Sequence, residues 1–296
     1  MFVTANVQVV FSMTRYFSEK TRFKNLIRKY ALKKEKGCVY GPIDYEGRSY
    51  WAIYYEVKKL FKKPVRTCVI IVDSNQKIVT DRDLFKAVSQ IIFLPRPTNY
   101  FQKIYEEEIK EFSRIYTFFS QPEKYVLQSN ISTSLEKAKE LGFSEISETL
   151  ENTIVQSEKI AEIASKILEK KEKVKDLIKI MQKRIDQELV NVFLKVVVNE
   201  EGSLMKELLE AFHERKKLLQ ELENTIIKRK NIESLPKDFD FLLKNIRFEI
   251  KALGEINTVF ENLIKMRKDI QELYDRCSSV IEEFYEEMLK RIKTIF

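Results

Sequence analysis

The sequence predicts an α+β protein, with a small antiparallel-sheet head and flanking helices followed by a long all-α part, an antiparallel coiled coil or helical bundle. Three observations predict this class. Short β-rich runs cluster between residues 38 and 79, and apolar residues recur at helical spacing in most of the remaining chain. In addition, the 296 residues include only 6 glycines and 6 prolines beside 33% charged residues. That composition is typical of long helices.

The N-terminal region divides into an extension, residues 1–14, and a basic head, residues 15–98. The extension is apolar, but it lacks a basic start and a small-residue cleavage site, so it does not fit a secretory signal. Translation from Met13, which would make the first twelve residues extraneous, is the alternative. From Thr14 to Lys36, apolar residues recur at helical spacing among Lys and Arg, which predicts a basic amphipathic helix closed by Gly37.

The β-rich runs of the head predict four short strands. Two runs flank the turn residues 44–47 and predict a hairpin, "RTCVIIV" at 66–72 predicts a third strand, and "KIV" at 77–79 predicts a fourth. The connections are too short for crossover helices, so the sheet should be antiparallel. The run "DLFKAVSQIIF" should then form a helix with Thr80 or Asp81 as its N-cap.

Helical spacing dominates after the head. Residues 99–131 should form a connecting helix and linker, and residues 132–296 should form the long helical coiled-coil domain. Within that domain, Thr133 with Glu136 predicts a helix start, and Gly142 predicts a break. The expected order thereafter is a helix at 145–198, a turn at 199–202, a helix at 203–231 and a last helix from Pro236.

The last helix carries the clearest pattern in the chain. Alternating steps of three and four residues from Phe239 to Ile295 reach apolar or aromatic side chains, with Glu249, Arg267 and Arg291 as the exceptions. A continuous helix from Pro236 would be about 90 Å long at 1.5 Å per residue. A helix of that length needs a partner along its whole seam, supplied either by the two preceding helices or by a second subunit.

Asp73 is the residue that first suggests catalysis, because it ends an apolar strand as metal-binding and phosphoryl-accepting aspartates do. Such sites need further carboxylates at the ends of parallel strands, or a glycine-rich phosphate loop, and the sequence has neither pattern. Asp73 and Asn75 are therefore interpreted as turn residues. His213, the single histidine, has no neighbouring Cys or second His that would complete a zinc site and lies near no candidate nucleophile, and the three cysteines form no disulfide or zinc pattern. The sequence thus predicts a noncatalytic protein without metal or cofactor, and an enzyme whose carboxylates are contributed by the two parts of the chain is the remaining alternative.

A helix, a strand carrying "YWAIYY", the run "CVIIVDSNQKIV" and a second helix follow one another in residues 18–93. This order resembles the PepSY-type, cystatin-like α+β module, whose motif has the form V-V-V-D-x-x-x-G-x-I after a Trp-bearing strand. The matching positions are Trp51, Val69, Ile71, Val72, Asp73, Lys77 and Ile78. Gln76 stands near the turn glycine of the family, and such modules are commonly extracytoplasmic, whereas this chain shows no export signal. The resemblance implies a noncatalytic binding or regulatory module and carries over no catalytic residue.

The positive charge is concentrated in one segment of the chain. The formal net charge is +8, and residues 15–66 hold 15 Lys or Arg against 5 Asp or Glu. The candidate anion- or partner-binding residues form two groups, Lys20, Arg22, Lys24, Arg28, Lys29, Lys33, Lys34 and Lys36, and then Lys58, Lys59, Lys62, Lys63 and Arg66. A solvated face that attracts an acidic partner, phosphate contacts to nucleic acid, and contacts to anionic lipid head groups are the three interpretations.

The favoured function is a noncatalytic interaction or scaffold protein, whose coiled-coil rod carries the basic head and meets a protein partner or a second copy of the chain. The alternative is a nucleic-acid-associated protein whose head contacts phosphates without sequence specificity. No apolar run approaches the about 18 residues of a membrane span, so an integral membrane protein is disfavoured, and a membrane surface is a less favoured partner. The unpaired cysteines favour a cytoplasmic location, and the abundance of Lys, Glu and Ile would suit a thermophile.

Overall fold

The computed structural model describes residues 11–12, 20–33, 35–57, 65–232 and 234–295, which divide into two compact units. The helical unit comprises Gln102–Asp176 and Phe193–Asp269, and the sheet unit comprises the described residues up to Phe101, Leu177–Val192 and the segment from Ile270. Each unit is therefore assembled from separate stretches of sequence. Met13, the alternative start, lies outside the described residues.

The sheet unit begins with alternating strands and helices. Its elements are β1 (Phe11–Ser12), α1 (Lys24–Tyr30), β2 (Glu35–Tyr45), β3 (Arg48–Val57), β4 (Val65–Asp73), α2 (Arg82–Phe93) and β5 (Arg96–Pro97). The strands β2, β3 and β4 form an antiparallel sheet in that order, and β1 pairs antiparallel with β5. The predicted hairpin, the third strand and the antiparallel arrangement are thus confirmed.

The basic helix is shorter than predicted. It ends at Tyr30 rather than at Lys36, because β2 begins at Glu35. Gly37, which was expected to close the helix, lies in β2 and pairs with Tyr55 of β3. The basic side chains of the amphipathic pattern continue to Lys36, but from Glu35 the backbone forms hydrogen bonds with β3 instead of a helix.

The predicted fourth strand is also wrong. Ile78 forms only an isolated antiparallel bridge with Val72. Asp81, the N-cap of α2, follows three residues after Ile78. That spacing leaves too little chain for a ladder of hydrogen bonds.

Helices make up the described chain after β5. They are α3 (Asn99–Ser120), a 3₁₀ turn (Pro122–Lys124), α4 (Val126–Glu140), α5 (Ser144–Lys183), α6 (Gln187–Leu194), a π-helical segment (Lys195–Glu201), α7 (Gly202–Lys230) and α8 (Lys237–Ile295). The 59 residues of α8 confirm the predicted last helix. Gly142 has a left-handed backbone, with φ 69°, and separates α4 from α5 as predicted.

Two predicted helix boundaries are wrong. Thr133 does not start a helix but lies within α4, where its hydroxyl donates to the Ser129 carbonyl. The predicted helix at 145–198 breaks after Lys183, and Asp186 begins the next helix by accepting a backbone N–H. The Thr133 error arises because the same Thr–Glu spacing also occurs within a helix, and the Lys183 error arises because apolar spacing does not show where a side-chain oxygen such as that of Asp186 accepts a backbone N–H.

The predicted turn at 199–202 is wrong as well, because the backbone stays helical there. The π-helical segment ends at Glu201, and α7 continues directly from Gly202. Glu201 is fully buried. Single π turns inside helices are frequent at functional sites, so this segment requires a physical explanation.

Each unit has its own apolar core, and the seam of α8 contributes to both. In the helical unit the seam residues Leu253 and Phe260 are buried together with residues of α3, α5 and α7. In the sheet unit Ile281, Phe284 and Met288 are buried with β3, β4 and α2. The predicted apolar seam of α8 is therefore a buried face.

Asp81 is expected to act as a structural cap. Its carboxylate accepts the Leu84 N–H at 2.8 Å, from the N-cap position of α2. The substitution Asp81→Ala should lower the free energy of unfolding by about 1 kcal/mol, whereas Asp81→Asn keeps an acceptor and should cost roughly half of that or less. Urea unfolding followed through the fluorescence of Trp51 measures both variants. Equal losses would contradict the capping role.

Candidate functional site

The Asp73 carboxylate lies in a turn, as predicted. Its Oδ1 accepts the N–H groups of Asn75 at 2.9 Å and of Lys77 at 2.8 Å. Gln76, near the glycine position of the PepSY-type motif, has a left-handed backbone with φ 61°. The carboxylate is thus occupied by backbone amides, which is the usual structural role of Asp in a turn.

The other side chains with reactive chemistry have structural surroundings. His213 is exposed on α7. Cys68 is fully buried in β4, and burial raises the pKa of its thiol to about 12. Burial also raises the pKa of Cys277, so both thiols hold little reactive thiolate near neutral pH. Across the described residues, no three His, Cys, Asp or Glu side chains are grouped so that they could hold a metal ion.

The first group of predicted basic residues is exposed on the sheet unit, and we call it the cationic face. Its described members lie on α1, on the segments that flank α1, and at the start of β2: Lys20, Arg22, Lys24, Arg28, Lys29, Lys33 and Lys36. Residues 20–33 contain no Asp or Glu. Lys34 lies outside the described residues. Within residues 20–33 the cationic face therefore carries charge of one sign.

The second group of predicted basic residues cannot be assigned to this face. Lys58, Lys59, Lys62 and Lys63 lie outside the described residues, and Arg66 lies in β4. The first group alone defines the candidate site.

Arg22 is the member of the cationic face with the most defined geometry. Its Nη2 donates to the Ser74 carbonyl at 3.1 Å. Its guanidinium lies 4.3 Å from the Trp51 ring centroid and 5.3 Å from that of Phe23, which are favourable cation–π distances. Arg22 thus connects the turn before α1 to the turn that contains Asp73.

Glu35, the first carboxylate that follows this segment, is neutralised by Arg291 of α8. The two guanidinium nitrogens Nη1 and Nη2 lie 2.8 and 2.9 Å from the two carboxylate oxygens, and both side chains are buried. Nη1 also donates to the carbonyl of Tyr30, the last residue of α1. Arg291 therefore satisfies a helix C-terminus and removes the nearest negative charge from the cationic face.

A network of four buried charges lies in the helical unit, and we call it the buried quartet. It consists of Glu108 of α3, Lys171 of α5, Glu201 of the π-helical segment and Arg267 of α8. Lys171 Nζ lies 2.6 Å from Glu108 Oε2 and 2.9 Å from Glu201 Oε1. Arg267 Nη2 lies 2.9 Å from Glu108 Oε2 and also donates to Glu201. Two carboxylates and two cations make the quartet electrically neutral.

The pKa values of Glu108 and of the neighbouring Tyr105 are shifted at the quartet. Burial by itself would raise the pKa of Glu108, but Lys171 and Arg267 outweigh burial and lower the pKa below its ordinary value of 4.5. Burial and then the Glu201 carboxylate raise the pKa of Tyr105, whose hydroxyl donates to Glu201. The π-helical segment therefore ends on a residue that is held by three donors.

A second buried ion pair in the helical unit joins Arg215 of α7 to Glu249 of α8. Arg215 Nε donates to Glu249 Oε1 at 2.5 Å. Arg215 Nη1 donates to the Thr153 carbonyl at 2.9 Å and to Ser157 Oγ at 2.7 Å, both on α5. The guanidinium also lies 5.0 Å from the Phe119 ring centroid.

The buried partners are what the sequence analysis missed. It singled out Glu249, Arg267 and Arg291 as breaks in an apolar seam, and all three prove to be buried and ion-paired. The charged residues in the apolar seam could have predicted these ion pairs, because a charge at a buried position requires an opposite charge nearby. Glu287, which pairs with Arg291, lies one helical turn away, but the buried partners Arg215, Glu108, Glu201 and Glu35 are at least 34 residues away in sequence and have no local signal.

Comparison with known proteins identifies no relative, because no family model, no curated protein and no solved structure matches the chain. The resemblance of residues 18–93 to the PepSY-type module therefore stays a prediction. None of the described helices is both long enough and apolar enough to cross a membrane.

Removing one cation from the quartet should be strongly destabilising. Arg267→Met leaves two buried carboxylates with Lys171 alone and should lower the free energy of unfolding by about 3–5 kcal/mol. Arg276→Met is the matched control, because Arg276 lies on the same helix and pairs with Glu272 at an exposed position. The control should change stability by at most about 0.5 kcal/mol. Urea unfolding followed by circular dichroism measures both, and similar losses would contradict the role of the quartet.

The lowered pKa of Glu108 predicts a pH dependence of stability. A carboxyl whose pKa is lower in the folded protein stabilises the fold above its unfolded pKa, and this stabilisation is lost as the pH falls through the folded pKa. The stability difference between the wild type and Glu108→Gln should therefore be full near neutral pH and shrink below 4.5, its ordinary pKa. Urea unfolding of both proteins over a pH series measures this difference. A difference that stays constant down to acid pH would contradict the prediction.

Proposed function

We propose that the protein is a noncatalytic interaction protein, in which the cationic face binds an anionic partner and the long helices space or pair copies of that face. The cationic face is the observation that carries the proposal, because its seven basic side chains are exposed within residues 20–36. Glu35, the carboxylate in this stretch, is bound by Arg291. A surface of one sign attracts oppositely charged macromolecules and speeds their association.

The placement of the carboxylates supports a noncatalytic role. Asp73 accepts two backbone N–H groups, and Asp81 caps a helix. Glu108 and Glu201 are fully buried and bound by cations. A general acid or base has to exchange a proton with a substrate within hydrogen-bond reach, and these carboxylates are arranged for structural bonds instead.

The length of α8 supports the spacing role. Its 59 residues correspond to about 90 Å at 1.5 Å per residue, and its apolar side chains follow the alternating steps of three and four that coiled coils use. That seam is buried in the two cores of the chain itself, so a protein partner or a second copy of the chain would contact the exposed faces of α8. The cationic face would then be presented by a helical scaffold.

Nucleic acid is the second candidate partner. Lysine and arginine side chains on a face without neighbouring carboxylates are the groups that neutralise phosphates in binding without sequence specificity. An acidic protein offers the same sign of charge at lower density. Binding to the two kinds of polyanion therefore separates the two candidates.

Charge reversal at the cationic face tests the proposal. The variant with Lys20→Glu, Lys24→Glu and Lys33→Glu should bind a short fluorescent DNA duplex and labelled polyglutamate more weakly than the wild type. For the duplex, the slope of log affinity against log salt should decrease by about one per lysine removed. Fluorescence anisotropy over a salt series measures both effects.

A control with the same change in net charge carries Lys228→Glu, Lys244→Glu and Lys251→Glu, at exposed positions of the helical unit. This control should bind the duplex or polyglutamate, whichever the wild type binds more tightly, with the affinity of the wild type. Tighter binding of the duplex would favour nucleic acid as the partner, and tighter binding of polyglutamate would favour an acidic protein. Failure of the wild type to bind either ligand at low salt would overturn the proposal.

A further inference from the structure

A second stripe of residues runs along the exposed side of α8, and we call it the outer stripe. It follows alternating steps of four and three residues, and all of its members are exposed: Lys237, Phe241, Lys244, Phe248, Lys251 and Glu255. The buried seam of α8 has the same alternation. Steps of three and four are the spacing with which one helix packs along another. The outer stripe therefore has the geometry of a helix-packing face that is open to solvent.

Two phenylalanines supply the apolar area of the outer stripe. Phe241 is 48% exposed and Phe248 is 73% exposed. Because they are seven residues apart, they project from nearly the same side of α8, about 10 Å apart along its axis. Each would gain apolar contact if a second helix lay along the stripe.

An apolar cavity of about 600 Å³ opens beside Phe248. Phe248 and Ala252 line it from α8, and Phe118 and Tyr125 line it from the opposite side. The Phe118 and Tyr125 ring centroids lie 4.9 Å apart in an edge-to-face arrangement, so this wall is held by its own ring contact. Phe241 is not part of the described lining. The helix thus presents a projecting phenylalanine two turns away from an apolar cavity.

The projecting ring and the cavity are complementary between two copies of the chain. A two-fold axis that is perpendicular to α8 and passes between Phe241 and Phe248 exchanges these two positions. It places Phe241 of each copy against Phe248 and the cavity of the other copy, so both copies use the same surface. A parallel arrangement would place Phe241 against Phe241 and would leave both cavities unfilled. The self-complementarity therefore favours a second copy in antiparallel orientation.

The charges of the outer stripe agree with this orientation. An antiparallel pair brings Lys237 of each copy close to Glu255 of the other copy, which gives two opposite-charge contacts. Among the described residues neither side chain forms an ion pair within its own chain. Lys244 lies close to the two-fold axis and would face its own counterpart. That like-charge contact is exposed and lowers the affinity of the pair only modestly.

We propose that the outer stripe pairs two copies of the chain in antiparallel orientation, with Phe241 of each copy packed into the apolar cavity beside Phe248 of the other. The exposed parts of the two phenylalanines amount to roughly 240 Å² per copy, whereas a stable interface buries about 800 Å² per partner. The pair is therefore weak and reversible. This pairing rests on the proposed function, because it specifies how the long helices pair copies.

Sedimentation velocity of the full chain tests the pairing. Over a series from about 1 to 300 μM protein, at physiological salt, the chain should change reversibly from monomer to dimer, with a dissociation constant on the order of 10–100 μM. A monomer at every concentration would overturn the proposal, and so would an assembly larger than a dimer, because a two-fold pair is closed.

Exposed apolar residues of the helical unit provide matched variants. Phe241→Glu and Phe248→Glu should each weaken the dimer at least about tenfold, because each places a charge in the apolar contact of both copies. Val155→Glu is the control, because Val155 is 62% exposed on α5, away from the outer stripe. It should leave the dissociation constant unchanged. Equal effects of all three substitutions, in variants whose circular dichroism matches the wild type, would overturn the assignment of the surface.

A charge exchange tests the antiparallel orientation. Lys237→Glu alone and Glu255→Lys alone should each weaken the dimer about threefold to tenfold, because each creates two like-charge contacts. The double variant should return to within about twofold of the wild type. Lys244→Gln should tighten the dimer about twofold, because it removes the repulsion at the axis. A double variant as weak as the single variants would overturn the orientation. If the phenylalanine variants do not fold, the charge exchange still decides the question.

The pairing and the cationic face fail separately. Each copy carries its own cationic face, so a monomer binds a short duplex as a dimer does. A chain that binds the duplex or polyglutamate but stays monomeric overturns the pairing alone. A chain that forms the dimer but binds neither polyanion overturns the role of the cationic face and supports the pairing.

Discussion

A charged side chain that is removed from water requires a partner, and α8 carries three such side chains. Glu249, Arg267 and Arg291 interrupt an apolar seam, and each is ion-paired at a buried position. An apolar seam with regular spacing tolerates a shift of one helical repeat, because one leucine or isoleucine replaces another. A buried charge does not tolerate that shift, because the shift leaves it unpaired. The ion pairs therefore select the register of α8 within each unit.

The same constraint accounts for features away from α8. Arg267 needs negative charge, and Glu201 supplies it from the end of the π-helical segment. The chain stays helical there because Glu201 is bound by Lys171 and Tyr105 as well. In the sheet unit, Arg291 binds Glu35 and the Tyr30 carbonyl together, so one side chain ends α1 and neutralises the carboxylate nearest to the cationic face. Arg291 therefore contributes both to the packing of α8 and to the net charge of the surface beside α1.

Features that depend on local spacing were predictable from the sequence, and features that depend on distant partners were not. The length of α8, the hairpin and the Asp73 turn follow from patterns within a few residues. The stretch 199–202 was predicted as a turn, and Asn and Gly are common turn residues, yet Glu201 is buried through contacts with Lys171 and Arg267. The exposure of the first basic group was also predictable, since lysine and arginine are mostly exposed in folded proteins.

An unpartnered buried oxygen does not by itself indicate a ligand, and the helical unit shows why. Within the described residues Glu108 Oε1 lacks a hydrogen-bond partner just as Glu249 Oε2 does. Glu108, however, is fully buried in a neutral quartet and contacts two cations through its other oxygen. Glu249 is likewise neutralised by a cation, Arg215, which donates from Nε while its own Nη2 also lacks a partner. In both carboxylates the oxygen without a partner therefore reflects the orientation of a buried ion pair whose charge is already compensated within the fold.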